Sequence, residues 1–266
     1  MVNGLHMYTT IISKTMMQFA TYRTNIISGV VSALFMLGAR FALWLALFAT
    51  GNAGGVTLTE TMTYFVVMGL LMVWVTFHFS NYIGSDIRSG DIAQRLTRPF
   101  SYHFQLLAQA HSGAAIGTLT NSLPILIVAA IFIGILPPAS AGFFGVFVLA
   151  ALLGGVIYTL VDLIISYTAF WLTDYWYIHW YKRSLFTLFG GTMLPLWFYP
   201  EWLLAVCEVL PFQFALFIPM EIYLGRVPWA DIPALLGMQL FWIGVLFALE
   251  RLVWYRAQHK LVVQGG

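Results

Sequence analysis

Long apolar runs separated by short polar ones dominate the pattern along this chain. A helix that crosses the roughly 30 Å hydrocarbon core of a bilayer needs about 20 residues at 1.5 Å per residue. The runs at about 26–49, 60–82, 104–136, 142–172, 184–199 and 232–249 are therefore expected to be spans. Turn chemistry marks their ends. Gly51-Asn52-Ala53-Gly54-Gly55 separates the first two, Pro124 breaks the third, and Pro137-Pro138 closes it. Residues 4–23 carry Leu5, Tyr8, Ile12, Met16 and Phe19 three or four apart, with Lys14, Gln18 and Arg23 off that stripe. This spacing predicts an amphipathic helix lying in the membrane interface. In residues 200–229 the apolar runs are only about ten residues long, interrupted by Glu201, Glu208, Pro211, Pro219, Glu221, Gly225 and Arg226. They suit a re-entrant or interfacial hairpin on the outer side. The expected fold is an all-α polytopic membrane protein forming a single transmembrane domain over 1–266, with six spans, the N-terminal interfacial helix and the outer hairpin before the last span.

Composition strengthens that reading. Charged residues make up 8% of the 266 and hydrophobic residues 61%, against about 25% charged in an average soluble domain. A fold this apolar cannot cover its own surface with polar groups. The net charge of +2 does not suggest nucleic acid. One cysteine, Cys207, excludes an intrachain disulfide and a cysteine metal cage. The N-terminus lacks a short basic region followed at once by an apolar core, so the first span is expected to act as the targeting signal.

The position of the charges matters more than their sum. Lys14, Arg23, Arg88, Arg95, Arg98, Lys182, Arg183, Arg251, Arg256 and Lys260 fall in the N-terminal helix, the 84–103 and 174–183 loops and the C-terminal tail. The other side holds Arg226 with Glu60, Glu201, Glu208, Glu221 and Asp231. By the positive-inside rule, six spans with both termini cytoplasmic satisfy every loop. Tyr175, Trp176, Tyr177, Trp180 and Tyr181, beside Trp171, read as interfacial anchors in preference to a cage for a cationic ligand.

No catalytic constellation is visible. There is no Gly-x-x-x-x-Gly-Lys phosphate loop, no Gly-x-Ser-x-Gly elbow, and no histidine pair at metal-ligand spacing, so neither catalysis nor a metal site is expected. Ionisable groups inside spans come next, because a charge in hydrocarbon is costly. Arg40 lies in the first span, about nine residues or ~13 Å from its outer end. Asp162 lies in the middle of the fourth. Each reads either as lining a translocation path, the two pairing with each other, or as a structurally paired or snorkelling group. His111 and Asn121 in the third span read as inter-helix hydrogen bonders, and Gly113-x-x-x-Gly117 as a close-packing motif.

Three stretches carry a family likeness. Gly90-Asp91-Ile92-x-x-x-Leu96-x-Arg98-Pro99-Phe100 resembles the loop signature of type-2 permease subunits of bacterial ABC transporters. Gly190-Gly191-x-x-Leu194-Pro195-Leu196-x-Phe198-Tyr199-Pro200-x-Trp202-Leu203 resembles a second signature of that family, and Leu210-Pro211-Phe212 followed by Pro219 and Gly225 a third. Order and spacing agree across residues 84–226. Charges at Arg40 and Asp162 depart from the family's apolar pattern and are not expected to be family features.

The resemblance implies a half-transporter. Two permease chains, identical or related, would pair in the bacterial inner membrane among its lipids. Each would dock a separate ABC ATPase subunit that holds ATP and magnesium, so this chain would bind no cofactor of its own. The cargo expected is a hydrophobic or amphiphilic molecule moved outward. Gly90, Asp91, Arg95, Leu96, Arg98 and Pro99 are then the candidate ATPase-coupling residues, on a short cytoplasmic helix begun at Ser89 or Gly90 and ended by Pro99. Arg40 and Asp162 are the candidate pathway residues, and Pro195, Phe198, Pro200, Trp202, Pro211 and Phe212 the candidate outer gate. Two readings from other classes stay open: an ion-coupled secondary transporter using Arg40 and Asp162, and a non-transporting membrane scaffold.

Overall fold

The computed structural model describes residues 23–51, 55–75, 79–97, 102–172 and 177–260. Every regular element among them is helical. The chain runs α1 (Arg23–Ala49), α2 (Leu58–Val75), α3 (Phe79–Ser89), α4 (Asp91–Leu96), α5 (Tyr102–Gly117), a π turn (Thr118–Ser122) and α6 (Leu123–Phe132). It continues through α7 (Ala141–Ser166), a 3-10 turn (Tyr167–Phe170), α8 (Ile178–Phe189), a second 3-10 turn (Leu196–Phe198), α9 (Glu201–Val209), α10 (Pro211–Ala215), α11 (Phe217–Tyr223) and α12 (Ile232–Gln258). The interfacial helix expected over 4–23 lies outside the described residues, Arg23 excepted.

Among the described residues four stretches are long and apolar enough to cross a membrane: Ile27–Ala49, Leu58–Ser89, Ala141–Phe170 and Ile232–Gln258. The other two expected spans are segmented. In 104–136 the regular helix gives way to the π turn just before Pro124. Proline has no N–H to donate to the carbonyl four residues back, here that of Thr120, so the helical ladder must adjust there. In 184–199 the helix stops at Phe189, because Gly191 takes a left-handed φ of 75° and Pro195 follows. The 200–229 segment holds three short helices. Pro200 precedes α9, Pro211 opens α10, and Leu216 at φ −131° separates α10 from α11.

The chain divides into two compact units. The first comprises Met1–Trp74 and Leu107–Pro137. Its α2 starts with a reciprocal cap: Thr57 N and Oγ1 donate to Glu60 at 2.7 and 2.9 Å, and Glu60 N donates to Thr57 Oγ1 at 3.1 Å. Met62, Tyr64, Phe65, Val66, Val67 and Met68 are buried, and Trp44 of α1 packs on Phe65 with ring centroids 5.8 Å apart. A Cβ on Gly117 would come within 3.2 Å of Val73, so glycine suits that approach.

The second unit comprises Val75–Leu106 and Pro138–Gly266, with α7 at its centre. Helices α10, α11 and α12 pack on α7. The approach of α10 is close enough that a Cβ on Gly154 would lie 2.2 Å from the Ala215 carbonyl oxygen. Gln239 of α12 is fully buried, and its amide donates to Phe214 O at 2.7 Å and Ala150 O at 3.0 Å. One side chain thereby ties three helices together.

Candidate functional site

Between α3 and α4 the backbone turns at Gly90, at φ 77°. No side chain or backbone crowds that position, so its demand is conformational: L-residues disfavour the left-handed region. Ser89 Oγ accepts from Asp91 N at 3.3 Å and helps start α4, whose first turn carries exposed Asp91. A carboxylate there complements the helix dipole. Ile92 is buried. Of the six candidate coupling residues, Gly90, Asp91, Arg95 and Leu96 lie on or beside α4. Arg98 and Pro99 lie outside the described residues.

Arg95 leads inward from this short helix. Its Nε is 3.2 Å from Oδ1 of buried Asp86 on α3, and the Tyr102 hydroxyl donates to Asp86 Oδ2 at 2.8 Å. Burial first, and Asp86 second, push the Tyr102 hydroxyl above its usual range, so it stays a donor. Gln105 Nε2 adds a bond to the Arg95 carbonyl at 3.4 Å. The Tyr102 ring is parallel to Trp254 of α12, with centroids 6.1 Å apart.

One residue further along α5, His103 Nε2 lies 2.9 Å from Glu250 Oε1 and 2.6 Å from the Tyr167 hydroxyl. Tyr167 donates to the same Glu250 oxygen at 2.8 Å. Trp254 closes the group edge-on to His103, at 4.8 Å, and against Tyr167, at 5.0 Å. The result is a continuous polar and aromatic chain from α4 through α3 and the start of α5 to the end of α7 and the last turns of α12. It can hold α4 in a fixed relation to α12. Sequence reasoning missed Asp86, Tyr102, His103, Tyr167, Glu250 and Trp254. The available signal was Glu250, the one acid within α12, with Trp254 four residues on along the same face.

Asp162 sits elsewhere in this unit, and its partner is Lys182, Nζ to Oδ2 at 2.7 Å. Ser166 Oγ donates to its other oxygen at 3.2 Å, and the Phe79 amide at the start of α3 also donates. Lys182 Nζ lies 5.4 Å from the Tyr158 ring centroid. Lys182, counted in the sequence among the loop charges, is thus on α8 and buried. Arg40, in the other unit, lies with its guanidinium 4.9 Å from the Phe65 ring centroid. His111 bonds through Nδ1 to the Leu107 carbonyl of its own helix at 2.8 Å.

The candidate gate residues cluster near the end of α8, with one exception. Pro195 and Pro200 are extended residues flanking the 3-10 turn that carries Phe198. Pro211 is buried, and Phe212 packs on Phe186 and Phe189 at 5.1 and 5.8 Å. Trp202 stands 69% exposed. A second fastening lies beyond them, where Arg226 pairs with Glu221 at 3.5 Å and covers the Trp197 ring at 4.7 Å.

A family model described as ABC-2 family transporter protein matches residues 33–265. Comparison with curated proteins and with solved structures gave no match.

Proposed function

This chain belongs to the ABC-2 transporter family as a multi-pass membrane component, and on that premise we propose that it is the permease half of an ATP-driven exporter. The observation that carries the reading is the link from Arg95 on α4 through Asp86 and Tyr102 to Trp254 on α12. A short helix that a partner pushes on can do work only if it is fixed to something that crosses the membrane. Here α4 is fixed to the last span.

A separate ABC ATPase, binding ATP and magnesium itself, docks on Gly90–Pro99, meeting exposed Asp91 there, and Arg95 passes the contact inward to Asp86. A second permease, identical or related, completes the pathway. The chain crosses the bacterial inner membrane six times with both termini cytoplasmic. The segmented stretches 104–136 and 184–199 supply the two crossings that are not single long helices. The 200–229 segment dips in from the outer side without crossing. At nine, five and seven residues its helices reach at most ~13 Å, well short of the hydrocarbon thickness. Pro195, Phe198, Pro200, Trp202, Pro211 and Phe212 form the outer gate. Arg40 and the Asp162–Lys182 pair border the path, and the cargo is hydrophobic or amphiphilic.

Co-purification with a separate ATPase, followed by reconstitution of both, tests the reading. Hydrolysis should depend on this chain. Arg98→Ala or Leu96→Asp should uncouple hydrolysis from transport while the chain stays inserted. Transport that survives both substitutions sinks the docking role of this segment, and hydrolysis indifferent to the chain sinks the permease role.

A further inference from the structure

We propose that Arg40 binds the anionic headgroup of an amphiphile, at a site between α1 and α2 in the first unit. The first observation is depth. Arg40 is nine residues from the end of α1 at Ala49, ~13 Å along the axis. Phe65, whose ring the guanidinium covers at 4.9 Å, is seven residues into α2, ~10 Å from its start. The charge therefore lies among the apolar residues of both helices and has not reached the nearer end. Helical side chains lean toward the N-terminus, which for Arg40 means away from that end. Snorkelling does not account for it.

The second observation is chemical. Among the described residues the guanidinium has no carboxylate partner and no hydrogen-bond acceptor. The Phe65 face attracts the charge but offers no lone pair to five N–H donors. A planar fork with unfilled donors fits the oxygens of a phosphate, sulfonate or carboxylate.

The third is the surrounding surface. Leu37 and Trp44, one turn to either side, are buried, whereas Met36 and Leu43 on the adjacent stripe are exposed. Arg40 stands on the border between the packed face of α1 and its open apolar face. A headgroup at the guanidinium would leave its alkyl chain to run along Met36 and Leu43. A small hydrated anion gains nothing from that stripe. An amphiphile uses both parts.

The inference names the cargo class for the proposed exporter and rests on that role only to that extent, because an anionic bilayer lipid offers the same headgroup. The full chain in phosphatidylcholine nanodiscs is titrated with dodecyl phosphate, with dodecyl maltoside as the uncharged control. Arg40→Gln should weaken dodecyl phosphate binding roughly 10- to 100-fold, the effect of losing charge-assisted bonds, and leave the maltoside unchanged. Arg40→Lys should lose only a few-fold. Adding phosphatidylglycerol distinguishes the sources. Competition at equal headgroup charge assigns the site to bilayer lipid as well as cargo, and binding undisturbed by the lipid assigns it to cargo.

Equal affinity of wild type and Arg40→Gln for dodecyl phosphate overturns the proposal. So does a variant that changes only the oligomeric mass, since the occupant would then be a second copy. Should Arg40→Gln not accumulate, the wild type still decides: binding no tighter for the phosphate than for the maltoside overturns the site. The measurement needs neither nucleotide nor partner ATPase, so its failure leaves the permease role standing. Absence of chain-dependent hydrolysis would remove that role and leave anion binding untouched.

Discussion

Two of the acid–base pairs in the second unit differ in how far they have been taken out of water. Asp162 and Lys182 are 2% and 3% exposed, lie 2.7 Å apart, and are wrapped by Ser166, Tyr158 and the start of α3. Asp86 and Arg95 are 7% and 24% exposed and 3.2 Å apart, and one member stands on a six-residue helix beside a glycine hinge. Desolvation makes the first pair an all-or-nothing structural pin: its parts are worth little, but either ion alone in that place is very costly. The second keeps its arginine in contact with solvent, and Tyr102 still donates to Asp86 when that arginine turns to another acid, so the exchange costs less than breaking the first pair. A device that responds to a docking partner is better built from the second kind of pair.

The sharpest way to break this contrast is Asp162→Ala, which strands Lys182. It should cost about 3–5 kcal/mol of stability, read as a large drop in the thermal midpoint of the purified protein. The double change Asp162→Leu with Lys182→Met should restore most of that stability. A double variant as unstable as the single one would show that the pair does not act as a pin. Tyr102→Phe comes next. It removes one donor from buried Asp86 and keeps the ring over Trp254, at about 1.5–3 kcal/mol. Arg95→Ala leaves buried Asp86 with the Tyr102 hydroxyl as donor and should cost about 2 kcal/mol, while partner-dependent hydrolysis loses its link to transport. A stability loss matching that of Asp162→Ala would erase the distinction between the pairs. Smallest is Gly90→Ala, where the left-handed φ should cost about 1–2 kcal/mol, read as a modest drop in the thermal midpoint.

Much of this organisation was legible in the residues. The apolar runs gave the helical membrane class, Gly90 marked the hinge before α4, and Pro200 and Pro211 marked the breaks around α9. Gly190-Gly191 and Pro195 mark the break that ends α8 at Phe189 within the 184–199 stretch. Lys182 counts as a loop charge in any tally by segment, because such a tally carries no trace of α8 laid against α7. The group around Glu250 was out of reach for another reason. His103 and Glu250 are 147 residues apart, and Tyr167 and Glu250 are 83 apart. No local pattern pairs them, and only the packing of α5, α7 and α12 brings them together.

The Gln239 amide has two hydrogens, and both are engaged: one on a carbonyl of α7, the other on a carbonyl where α10 gives way to α11. Such a side chain is a rivet with no play, set among helices that already touch at Gly154 and Ala215. Glu250 lies eleven residues further along the same continuous helix, ~16 Å away. If α12 is displaced at its Glu250 and Trp254 end, the rivet forbids it to slide past α7. The displacement must tilt α7, α10 and α12 as one piece. The two ends of α12 would then travel in opposite directions, by rotation about Gln239.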